Sequence, residues 1–139
     1  MLEEKIKTLD LKPFPYDLKF IVTSSVMESE RKLRAKLKDH SPAKSNARTG
    51  AMAMYDRNLT TMYIIMPYKC DVGYIAHESW HIVRALLTYV NATLDNEVVA
   101  YYLGWITREA TRFNFKVTKD REKKAESVAI DSTELRVVQ

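Results

Sequence analysis

The stretch from Asp71 to Val90 (DVGYIAHESWHIVRALLTYV) most constrains the fold. It contains no proline, and Ile82, Val83, Leu86, Leu87 and Val90 recur at the spacing of one helix face. Asp71 is a side chain suited to capping the first turn. A long helix is therefore predicted, followed after a short connection at Asn91–Asn96 by a second over Glu97–Phe113. Two helices joined this closely need a further layer against which to bury their apolar residues.

The segments upstream supply that layer. Asp17–Ser24 is short, β-branched and aromatic, which predicts a strand. Ser25 then caps a helix running to about Asp39, with Val26, Leu33 and Leu37 on one stripe. Pro42–Gly50 reads as a loop. Ala51–Tyr55 and Thr60–Pro67 are apolar runs separated by Asp56-Arg57-Asn58-Leu59, a turn-forming tetrad, and predict a β-hairpin. The order strand, helix, two strands, helix, helix predicts an α+β fold, with helices on one side of a small, mostly antiparallel sheet.

With 139 residues, 46% of them hydrophobic, the chain suffices for one domain. Residues 1–16 read as a polar lead-in, short helix or extended, that ends at Pro13-Phe14-Pro15. The domain is expected over 17–115. Residues 116–139 form a charged C-terminal tail, in which Lys116–Glu126 has the composition of a solvated helix end.

Several classes are excluded. A single cysteine, Cys70, rules out an intramolecular disulfide framework and reads as a small apolar residue at a strand end. The charged start Met1–Lys5 is not followed by the apolar core of a secretory signal. The densest apolar run, Met62–Pro67, is far too short to span a membrane. A cytoplasmic location without a membrane partner is the expectation. The net charge of +4 is mild, and the basic helix Arg31–Lys38 spreads its cations around its circumference, so nucleic-acid binding is disfavoured.

The chemistry lies in His77-Glu78-Ser79-Trp80-His81, an H-E-x-x-H sequence inside the first long helix. Residues four apart lie one turn above each other, so both imidazoles can reach one metal ion. Glu78 is adjacent, within reach of a water on that metal, from which it could take a proton and later pass it to a leaving amine. Zinc suits such a site because it accepts imidazole and carboxylate ligands and acidifies its bound water. The next helix opens with a carboxylate, Glu97, in Asn96-Glu97-Val98-Val99-Ala100-Tyr101.

H-E-x-x-H followed by N-E-x-x-A on the next helix resembles the gluzincin branch of zinc metallopeptidases. The longer strings HESWHIVRALLTYV and DNEVVAYYLGW resemble small zincin-like proteins of phages and prophages. The resemblance is tightest over residues 71–106 and implies a minimal zincin-like fold. It further implies one zinc ion held by His77, His81 and Glu97, with Glu78 as general base, and a peptide or protein as substrate. In that family an edge strand holds the extended substrate, and its counterparts here are the hairpin strands. The implied function is hydrolysis of a peptide or amide bond. A catalytically inactive zincin-like binding module with structural zinc, or a small basic nucleic-acid-associated regulatory protein, are the alternatives.

Two departures from the family pattern stand out. Tyr101 occupies the position where thermolysin-type relatives carry Asp, and its hydroxyl could orient a ligand or stabilise an oxyanion; His40 and Tyr102 are the other candidate donors. Glu97 also follows His81 at a short spacing, so the connection must fold back beside the helix for that carboxylate to reach the metal. Asp95 and Glu109 are the alternative third ligands.

Overall fold

The structure, a computed structural model, describes residues 1–37, 50–92 and 95–138, with side chains through residue 133. Its elements are β1 (Glu4–Asp10), β2 (Asp17–Thr23), α1 (Val26–Leu37), β3 (Met52–Met54), β4 (Thr61–Pro67), α2 (Val72–Tyr89) and α3 (Asn96–Val138). The expected helix end at Asp39, the loop from Pro42 and the candidate donor His40 lie outside the described residues.

The fold is α+β, built on a four-stranded mixed sheet in the order β1-β2-β4-β3. The two outer pairings are antiparallel, and β2 runs parallel to β4 from Asp17↔Thr61 to Thr23↔Pro67. The expected antiparallel pair is present, with Met52 opposite Ile65 and Met54 opposite Tyr63.

Alternation along the central strands explains the layering. Leu18, Phe20 and Val22 of β2, with Met62, Ile64 and Met66 of β4, join one core cluster with α2 and α3. Their neighbours Ile21, Tyr63 and Ile65 point the other way and join Met52, Met54 and Leu33. Leu33 belongs to α1. The expectation of helices on one side of the sheet is thereby corrected: α1 covers the opposite face. The near-continuous apolar run of β4 is what a strand buried on both faces requires.

Residues 4–10 of the lead-in are an edge strand paired with β2 along its whole length. Its residues are mostly exposed, and Lys5 and Lys7 stand on the same face as Val22 and Phe20, so no apolar alternation marks it in the sequence. The lead-in also contributes Leu11, fully buried, to the main core.

Helix α3 runs far beyond Phe113, through the charged segment as a continuous 43-residue rod. Asn114 and Thr118, both buried, fix its middle to the β4–α2 turn. Asn114 Nδ2 donates to the Pro67 carbonyl at 2.8 Å, and its Oδ1 accepts from the Cys70 N–H at 3.1 Å. Thr118 Oγ1 accepts from the Lys69 N–H at 3.0 Å. Lys69 occupies the left-handed region (φ 53°), so the turn presents two successive N–H groups to one helix face. Lys69–Glu122 and Arg121 over the Tyr68 ring reinforce the same junction.

Candidate metal centre

Helix α2 begins where the sequence predicts. Asp71 is the N-cap, its Oδ1 accepting from the Gly73 N–H at 2.7 Å. Val90 closes the far end, and Asn91 follows at φ 54°, a left-handed stop. Burial of Ile75, Ser79, Ile82, Val83 and Leu86 fixes the helix rotation, which leaves His77 exposed and His81 half-buried on the outer face.

The two imidazoles converge. Their Nε2 atoms lie 3.1 Å apart, with the rings edge to face at a centroid separation of 4.8 Å. Zinc–imidazole bonds are about 2.0–2.1 Å, so two nitrogens at this separation subtend roughly 100° at a shared ion, near the tetrahedral value. The spacing equally accommodates an N–H···N hydrogen bond with one ring donating.

Glu78 points toward the edge of the sheet. Its Oε2 accepts from the backbone N–H of Ala53, on β3, at 2.8 Å. Burial pushes the Glu78 carboxyl above the usual carboxylate range, while the Ala53 N–H and the charges of His81 and His77 pull it back. Just upstream, a Cβ on Gly50 would stand 2.9 Å from atoms of the Tyr74 ring. Glycine therefore permits the 50–54 segment to pass close over α2, from Tyr74 to Glu78. Cys70 sits nearby; burial, then the charge of Asp71, pushes its thiol up to about 11, with Glu78 adding to the shift and the Ala51 backbone opposing it.

The remaining predicted residues are not gathered here. Among the described residues no group of three His, Cys, Asp or Glu side chains is placed to hold a metal ion. Asp95 Oδ1 accepts from the Glu97 and Val98 N–H groups and so starts α3. That start puts Glu97 in an exposed first turn, about half a turn round the helix from the buried Tyr102–Ile106–Ala110 stripe. Glu109 is engaged with Lys7 and Arg112. Tyr101 is 68% exposed and stacks on Trp105, whereas Tyr102 is buried against Phe14. The donor set thus fits a metal ion in its two imidazoles and lacks an assembled third ligand. On α1, Lys32 pairs with Glu4 and Arg34 with Glu30, which reduces the free positive charge of that helix.

Sequence reasoning missed the Ala53 N–H, the Gly50–Tyr74 approach and the Asn114 clamp. Gly50, one of only three glycines, was the available signal for the second; a backbone donor and a mid-helix Asn carry none.

No family model, curated protein or solved structure matches the chain. Among the described residues no helix is long and apolar enough to cross a membrane.

Proposed function

We propose that the chain is a zinc-dependent hydrolase of peptide or amide bonds with a zincin-like arrangement. The observation carrying this reading is the 3.1 Å approach of His77 and His81 Nε2, with Glu78 between them in sequence. His77 and His81 would hold the ion, with Glu97 as the third protein donor that the resemblance calls for. Zinc there would supply an acidified water and polarisation of the scissile carbonyl.

Glu78 is the residue that moves the proton. Its elevated pKa suits a group that takes a proton and then releases it to a leaving amine. β3 is an edge strand lying against Glu78, so an extended peptide could add to it by backbone hydrogen bonds. Docking there would compete with Glu78 for the Ala53 N–H and release the carboxylate toward the water. The alternative is a catalytically inactive zincin-like binding module with structural zinc, which would need a closed shell of four protein ligands, two more than the imidazoles brought together among the described residues.

Cleavage of a degenerate peptide library, read by mass spectrometry, tests the proposal. Zinc-loaded protein should cut, a chelator should stop it, and added zinc should restore it. A folded, zinc-loaded protein that cuts nothing contradicts the hydrolase reading and leaves the binding module.

A further inference from the structure

The start of α2 and the first half of α3 line an open groove of about 550 Å³, to which neither His77 nor His81 contributes. Val72, Leu103 and Gly104 form its apolar part, Thr107 adds a buried hydroxyl without a hydrogen-bond partner among the described residues, and Arg108 and Arg112 also line it. Val72 is 56% exposed, an aliphatic side chain left uncovered at the head of a helix. A Cβ built on Gly104 meets nothing within 4 Å. Glycine weakens a helix interior, and no close neighbour requires it here, so this position keeps the groove open.

The charge is one-sided. Glu109 is shared between Lys7 (3.5 Å) and Arg112 (3.6 Å), and Arg108 makes no ion pair with a described residue. The nearby Asp71 carboxylate is committed to the Gly73 N–H. The groove thus joins an aliphatic lining to two guanidiniums with surplus positive charge. It has no aromatic ring on which a base could stack, and two cations are few for a polyanion.

We propose that this groove binds an extended peptide segment of a partner protein, with an aliphatic side chain over Gly104 and following carboxylates on Arg108 and Arg112. From Gly104 to Arg112 the helix rises roughly 12 Å, the length of about four extended residues. This proposal does not depend on the metal centre.

Fluorescence anisotropy of labelled decapeptides tests it, with a Leu-Leu-Glu-Glu core in Gly-Ser flanks against Leu-Leu-Lys-Lys and Gly-Gly-Glu-Glu cores and a thymidine dodecanucleotide. The Leu-Leu-Glu-Glu peptide should bind at least about tenfold more tightly than each comparator. Gly104→Leu should weaken it about tenfold or more without lowering the melting temperature. Arg108→Glu with Arg112→Glu should shift preference to the Leu-Leu-Lys-Lys peptide. His81→Ala should leave binding within about twofold, which separates this site from the metal centre. Unchanged binding by Gly104→Leu overturns the proposal, as does equal binding of Gly-Gly-Glu-Glu or the oligonucleotide, or no binding at millimolar peptide.

Discussion

The backbone N–H of Ala53 donates to Glu78 Oε2 across 2.8 Å, tying the edge of the sheet to the middle of the H-E-x-x-H sequence. This contact sets the position of the group assigned to proton transfer. Glu78→Gln keeps a carbonyl oxygen for the Ala53 N–H, so the fold and zinc content should persist. Hydrolysis should fall by about 10²-fold or more, the usual weight of a positioned base. Peptide turnover measured beside zinc content checks this; a Gln variant cutting at the wild-type rate contradicts the role.

Two glycines should respond oppositely to alanine. At Gly50 the new Cβ would lie 2.9 Å from the Tyr74 ring, at atoms near the base of the side chain. Overpacking of this kind costs about 1–3 kcal/mol. At Gly104 the new Cβ meets open space, and alanine should stabilise the helix by up to about 1 kcal/mol. Urea unfolding of the two variants should move the midpoint in opposite directions.

Asn114→Ala removes two of the three hydrogen bonds that clamp the β4–α2 turn, sparing the one from the Lys69 N–H to Thr118, and leaves the Cys70 N–H and the Pro67 carbonyl without that partner. Each such group costs about 1–3 kcal/mol when left unsatisfied in a buried setting. Chemical denaturation should register a loss of at least about 2 kcal/mol. A loss under 0.5 kcal/mol, on the order of an ordinary surface substitution, would show that water replaces the clamp.

The Cys70 thiol, pushed up to about 11, is protonated at neutral pH. Thiolate is the nucleophile, so alkylation by iodoacetamide at about pH 8 should be roughly two orders of magnitude slower in the native protein than in urea. The folded pKa lies above the unfolded one. The associated stabilisation is therefore fully present below about pH 8.5 and is lost as pH rises toward about 11. Melting temperatures across that interval should fall, and should fall less in Cys70→Ala.

Helix α2 was legible because its cap, apolar stripe and stop all agree in sequence, from Asp71 to Val90. β4 was legible as a strand, yet its burial on both faces, which places α1 opposite α2 and α3, is a tertiary property. β1 was not, because an exposed edge strand in which four of seven residues are charged lacks alternation. The length of α3 was hidden for a related reason. From Asp120 to Thr133 its residues are nearly all exposed, so no apolar period extends the helix into the charged segment. The histidine pair follows from four-residue spacing on one helix. The position of Glu97 depends on how a short connection closes, which spacing alone does not determine.

Zinc content is the most direct test of the central claim. Purified protein reconstituted with zinc and freed of excess metal should hold one ion per chain. His81→Ala should hold none while keeping its helical circular dichroism, and Glu97→Gln should bind more weakly if that carboxylate is the third donor. A folded wild-type chain that retains no zinc, or a His81→Ala variant that retains as much as wild type, contradicts the account.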